Sequence, residues 1–216
     1  MNDFKKKISE NLNKNYEIFS KNLNYYFEVI SKKSIDKIIK NISGEKESDS
    51  IFRMDFFNNT VQIDINSKTI FLFNCYKNTS ARPLDEFSSS IILHYILNAD
   101  GSPVKNEWIQ YRDLPDGLFY SATIPPVLQQ LVTRYRENGK SFVEKILSLG
   151  GKRSDFGKYS AIIHPFKRFP MLFILDEADD EFEASVRVLF DSSAPHYMKS
   201  DIIKTLVVYV VKKLLK

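Results

Sequence analysis

The chain holds one cysteine, three histidines and no long apolar run, and each shortage closes off a class of function. A single thiol, Cys75, forms no internal disulfide and excludes a zinc or iron–sulfur site built from several cysteines of this chain. It lies in the apolar run Ile70-Phe-Leu-Phe-Asn-Cys75 and is expected to be inert and partly buried. No stretch approaches the ~18–20 apolar residues that cross a bilayer. Ile8-Ser-Glu-Asn-Leu-Asn-Lys14, behind the basic start, is no apolar signal core, so a cytoplasmic protein with no membrane partner is expected. Gly150-Gly151-Lys152 lacks the earlier glycine of a phosphate loop and follows a helical pattern, which makes it a helix stop. No Gly-x-Ser-x-Gly elbow accompanies Ser192, Ser193 and His196, which argues against serine hydrolysis. The acidic run Asp176 to Glu183 lacks the bend glycine and alternating ligands of a calcium loop, so no metal site is expected and the run reads as a solvated hairpin tip.

What is present is a large apolar payload. At 216 residues and 43% hydrophobic, with seventeen Phe and eleven Tyr, the chain buries a sizeable core and is not disordered. One domain spanning 1–216 is the natural reading. The net charge of +4 is local. Residues 1–42 carry nine Lys against five acids, and the remainder carries 22 basic and 22 acidic side chains. The lysines alternate with Glu and Asn along one helical segment, so they form a solvated helix face and no nucleic-acid partner is expected.

Residues 3–42 space Phe4, Ile8, Leu12, Tyr16, Phe19, Leu23, Phe27, Ile30, Ile35, Ile38 and Ile42 by mostly three or four, which predicts a long N-terminal helical segment with a break near Ser31–Ser34. A polar loop, Ser43–Ser50, leads into a meander of Ile51–Phe57, Thr60–Ile65 and Lys68–Phe73. Asn58-Asn59 and Asn66-Ser67 supply the turns, because Asn tolerates positive φ. Helices are predicted from Asp85 to about Leu97, from Pro125-Pro126 onward, over about Ser141–Leu149 and over about Ser200–Leu215. Strands are predicted near Tyr159–His164, Met171–Leu175 and Ala184–Phe190. The fold class is α+β: a single domain with an antiparallel sheet made of the 51–73 meander and the strands near 159–190, plus the N-terminal and C-terminal helices.

The ionisable candidates are few. His94 shares a helical stripe with Phe87 and Ile91, so it faces the core or lines a pocket. His164 ends a strand. His196 follows Asp191, whose carboxylate would orient the ring or cap the turn through the Ser192 and Ser193 amides. Trp108, Tyr111 and Arg112 form the strongest binding cluster. In an extended segment Trp108 and Arg112 share one face, and an aromatic ring with a guanidinium suits a planar anion such as a tetrapyrrole. The same residues also fit a core tryptophan and an arginine paired with Asp113 or Asp116.

Four segments stand out: Leu93-His-Tyr-Ile-Leu-Asn-Ala-Asp-Gly101, Trp108-Ile-Gln-Tyr-Arg-Asp-Leu-Pro-Asp-Gly-Leu-Phe-Tyr120, Leu149-Gly-Gly151 and Asp180-Glu-Phe-Glu-Ala-Ser-Val-Arg-Val-Leu-Phe-Asp-Ser-Ser-Ala-Pro-His-Tyr197. In that order they resemble a family of anaerobic bacteria and archaea catalogued as a domain of unknown function, three-seven-eight-six. The resemblance covers about residue 51 to 216. Some members look fused to a four-cysteine iron–sulfur module like that of corrinoid iron–sulfur proteins; this chain, with one cysteine, has no such module. The resemblance implies a neighbourhood of corrinoid or low-potential redox chemistry and an iron–sulfur or corrinoid protein as partner. Three functions are carried forward. The first is a non-enzymatic ligand-binding or accessory module for a corrinoid or other tetrapyrrole, using Trp108, Tyr111, Arg112, Asp191, His196 and His94. The second is a small cofactor-dependent enzyme with His94 or His196 as acid–base group. The third is an interaction protein docking through its N-terminal helix.

Overall fold

The computed structural model describes residues 22–73 and 81–216. Residues 3–21 of the expected N-terminal helix, and Cys75, lie outside the described residues. In chain order the elements are α1 (Leu23–Ser31), α2 (Ile35–Ile42), β1 (Glu45–Lys46), β2 (Ile51–Phe56), β3 (Asn59–Asp64), β4 (Thr69–Phe73), β5 (Arg82–Pro83) and α3 (Glu86–Asn98). Then follow β6 (Trp108–Gln110), α4 (Gly117–Tyr120), α5 (Ile124–Tyr135), α6 (Gly139–Ser148), β7 (Lys152–Arg153), β8 (Tyr159–Phe166), β9 (Phe169–Asp176), β10 (Ser185–Asp191) and α7 (Ser200–Leu215). The class is α+β with antiparallel pairing throughout. The strands form two sheets where one was expected, in the orders β1-β2-β3-β4-β5 and β6-β10-β9-β8-β7.

Local chemistry explains the element ends. The helical break falls at Lys32 to Ser34, where the Ser34 hydroxyl accepts the Lys37 amide and caps α2. Asp85 caps α3 through the Ser88 amide, and Pro125 and Pro126 open α5. Gly150, at φ +86°, stops α6 in the left-handed region that glycine enters at little cost. The hairpin turns differ from expectation. Positive φ falls on Phe57 (57°) and Lys68 (53°), not on the asparagines beside them. Phe57 accepts that backbone because its amide donates to the Pro165 carbonyl at 2.9 Å, across the gap between the two sheets. Its neighbour Asn58 donates to the Ser148 carbonyl at the end of α6.

The core spans both sheets. Every residue of β9 from Phe169 to Leu175 is buried, so both faces of this central strand are covered. That is why Phe-Pro-Met-Leu-Phe-Ile-Leu is continuously apolar, whereas β3 alternates. β8 bulges between Ile163 and Phe166, and there it meets β2: the Phe56 and Phe166 rings lie 5.3 Å apart. Tyr95 of α3 stacks on Phe166 at 4.1 Å on one side and on Tyr197 at 5.5 Å on the other. Phe27 and Ile30 of α1 and Ile38 and Ile42 of α2 are buried in the same core, so the described part of the N-terminal segment is structural.

Candidate functional site

The six sequence-predicted residues do not converge. The extended piece ends at Gln110, and Tyr111–Asp113 forms a 3-10 turn closed by reciprocal bonds between Gln110 and Asp113. The shared face of Trp108 and Arg112 is therefore lost, because that parity holds only while the chain stays extended. Trp108 is half-buried with its ring edge-on to Phe156 at 6.2 Å. Arg112 is exposed and 3.9 Å from Asp113. Tyr111 is buried, and its hydroxyl donates to the Ser200 carbonyl at 2.6 Å, pinning the start of α7.

Asp191 pairs in register with Trp108 but does not hold His196. Its buried carboxylate accepts the Lys105, Asn106 and Ser193 amides at 3.0, 2.6 and 2.9 Å, and the Ser193 hydroxyl at 2.5 Å. Desolvation works to raise its pKa, and these bonds outweigh it and hold the carboxyl low. The Ser192 amide goes instead to the Glu107 carbonyl at 2.7 Å. His196 Nδ1 stands 2.7 Å from Asp100, an acid 96 residues earlier that sequence proximity did not suggest. For Asp100 too burial works upward, but bonds from Ser102 and His196 hold it at about 2. Arg168 completes this corner, with Nε donating to Ser43 Oγ at 2.6 Å and Nη1 to the Gly101 carbonyl at 2.8 Å, while Tyr197 donates to the Ser102 carbonyl. The Asp-Ser-Ser-Ala-Pro-His-Tyr corner is thus a clasp that fastens residues 100–106 to the end of β10.

His94 sits elsewhere, half-buried with its ring 4.5 Å from Tyr26. Burial pushes its pKa down to about 4, opposed by Asp201 and assisted by Lys199. His164 is half-buried in β8, its pKa also lowered by burial. The two favoured histidines have separate partners. The acidic hairpin is only partly solvated: Glu177 accepts the Gly139 amide at 2.9 Å at the start of α6, and Asp176 pairs with Arg187 at 3.0 Å.

The feature that gathers binding chemistry is a cleft of about 600 Å³ between β2, β4–β5, the first turn of α3 and the last turns of α7. Its walls include Phe56, Phe57, Phe87 and Tyr209, with Tyr209 at 5.7, 5.9 and 6.0 Å from Phe56, Phe57 and Phe87. Arg82, Lys212, Lys213 and Lys216 also line it. Cations at a helix C-terminus are ordinary in themselves, since they oppose the helix dipole. Lys213 is less ordinary. Its ammonium lies 5.1 Å from the Phe57 ring centre and 5.0 Å from that of Tyr209, and no carboxylate among the described residues forms an ion pair with it. Desolvation first, then Lys216 and Arg82, lower its pKa against the pull of Asp85. Asp85 is already committed: its oxygens take the Ser88 amide at 2.9 Å and the Ser88 hydroxyl at 2.7 Å.

The family model described as a domain of unknown function (DUF3786) matches residues 34–213. The chain belongs to that family. No curated protein and no solved structure matches it. The DUF3786 match takes in the Asp191–Tyr197 clasp and the cleft residues Arg82, Lys212 and Lys213, and stops before Lys216.

Sequence reasoning missed the cleft. Tyr209, Lys213 and Lys216 are spaced four and three apart on α7, a helical stripe opposite the apolar one, and that much was legible. Phe56, Phe57 and Arg82 reach the stripe only through the tertiary packing that sets the first sheet beside α7.

Proposed function

We propose that this DUF3786 chain is a non-enzymatic, cytoplasmic ligand-binding module and that the aromatic, cationic cleft is its binding site. The observation that carries the reading is the joining of four aromatic rings and four cationic side chains around one cleft. Its volume of about 600 Å³ falls in the range of small-molecule sites, roughly 300–1,000 Å³. Rings beside cations suit a flat anion, the chemistry first looked for at Trp108 and Arg112. A tetrapyrrole is the leading ligand: one edge of the macrocycle would lie against Phe87 and Tyr209, with the propionates of a haem, or the phosphate of a corrinoid whose ring substituents are amides, toward Arg82 and Lys216. The resemblance to members fused to an iron–sulfur module supports a corrinoid and an iron–sulfur or corrinoid protein as partner.

Titration of the full chain with hydroxocobalamin and with haemin, read by the visible bands and by thermal shift, tests this. Binding of either that weakens about tenfold or more in Arg82→Glu, as expected for a lost charged contact worth about 1.5–3 kcal/mol, supports the site. If neither changes its spectrum or the melting temperature, the tetrapyrrole reading fails. If one binds and Arg82→Glu binds equally well, the cleft is not where it binds.

A further inference from the structure

We infer that Lys213 is a nucleophilic amine that captures an aldehyde-bearing, flat anionic ligand in the cleft as an imine. The inference rests on the cleft being the ligand site and adds a covalent role for one of its residues. A lysine becomes nucleophilic when it loses solvent or gains cationic neighbours, and when no carboxylate stabilises its protonated form. Lys213 meets the first two, and no carboxylate among the described residues forms an ion pair with it. The Phe57 and Tyr209 rings exclude solvent from it and Arg82 and Lys216 repel its proton; the attraction of the rings for a cation and the pull of Asp85, whose oxygens also accept from Ser88, oppose this without offsetting it. The same surroundings lower its pKa, so more of it is neutral amine at pH 7 than of an ordinary lysine. The stem is anchored because Lys213 sits on α7, whose Val210, Val211 and Leu214 are buried.

The division of labour follows from placement. Arg82 and Lys216 are exposed at the cleft and meet the anionic group, while the half-buried Lys213 meets the ring end of the ligand. The neutral Nζ attacks the carbonyl carbon and forms a C–N bond. The carbonyl oxygen then leaves as water with the two amine hydrogens, and a C=N bond remains. No oxidant or reductant is consumed.

Pyridoxal 5′-phosphate, which carries an aldehyde, a flat ring and a phosphate, is the probe. The full chain is incubated with less than one equivalent near pH 7.5, the imine is fixed with borohydride, and the labelled lysine is located by peptide mapping. The expected result is one dominant adduct at Lys213. It should be lost in Lys213→Arg, which keeps the cation over the rings. Adducts spread over the surface lysines, or placed on Lys212 or Lys216 with Lys213 unlabelled, overturn the inference. Pyridoxine 5′-phosphate, with an alcohol in place of the aldehyde, separates the two claims. If it raises the melting temperature of wild type but not of Arg82→Glu while Lys213 stays unlabelled by the aldehyde, the cleft binds flat anions and the covalent role fails. If it has no effect and Lys213 stays unlabelled, a flat-anion site in the cleft fails with it.

Discussion

Lowering the pH from 7 to 4 should destabilise this protein through His94 before its low-lying carboxylates begin to titrate. Unfolded, the imidazole takes a proton near 6.5; folded, it resists until about 4, because burial against Tyr26 disfavours the charged ring. Between those values the unfolded chain binds more protons than the folded one, so stability falls as pH falls. The contribution is fully present above about 6.5 and gone by about 4. A drop of that size is worth about 3 kcal/mol, and solvent on the open side of a half-buried ring trims it to about 2–3 kcal/mol. Against a typical domain stability of about 5–15 kcal/mol, that is a large share. The assay is urea denaturation at half-unit steps from pH 7.5 to 4, on wild type and on His94→Phe, which keeps a ring against Tyr26 and removes the titration. Wild type should lose stability across the window, with His164 adding in the same direction. The phenylalanine variant should lose about 2–3 kcal/mol less over that span. Asp100, held at about 2, cannot produce this effect, since its own loss begins only near its unfolded value of 3.8. Equal slopes in the two proteins would refute the argument.

Asp191→Ala leaves the Lys105, Asn106 and Ser193 amides without their acceptor and should cost at least about 3 kcal/mol by urea denaturation; a loss under about 1 kcal/mol would show that the clasp is dispensable. Arg168→Lys keeps the charge but loses the separate Nε and Nη1 bonds to Ser43 and Gly101. Hydrogen exchange at the amides of Ser102, Val104, Lys105 and Asn106 should therefore speed up, and unchanged protection there would contradict the assignment. At Gly139 an added Cβ would stand 2.2 Å from the Tyr159 ring. Gly139→Ala should thus cost about 1–3 kcal/mol, at roughly 2–4 °C of melting temperature per kcal/mol. A melting temperature equal to wild type would mean that Tyr159 moves aside freely.

Legibility followed the range of the interaction. The Asp85 cap, the prolines of α5, the Gly150 stop and the break before Ser34 involve groups within a few residues of one another, and all were readable from residue type and spacing. Turn φ values were not, because Phe57 takes its conformation from a bond to Pro165, 108 positions along. The Trp108–Arg112 face failed for a local reason: Asp113 reaches back to the Gln110 amide and turns the chain where an extended run had been assumed. The Asp191–His196 pairing failed for a distant one. The backbone amides of Lys105 and Asn106 claimed the carboxylate, and Asp100 claimed the ring.

By itself the sequence determined the α+β class and, among the described residues, the longer helices and strands and most of their ends, but not the short β1, β5, β7 and α4; membership of the family was legible in motifs such as Phe190-Asp-Ser-Ser-Ala-Pro-His-Tyr197. These rest on periodicity, capping and turn chemistry, which act over a few residues. Only the tertiary structure decided that the strands form two sheets, that the motif is a clasp, and that Phe56, Phe57, Arg82 and Lys213 meet around one cleft. Those outcomes depend on which distant surfaces bury one another. A residue's own neighbours in the chain do not specify that, because many pairings of apolar faces satisfy the same local pattern and only complete packing selects among them.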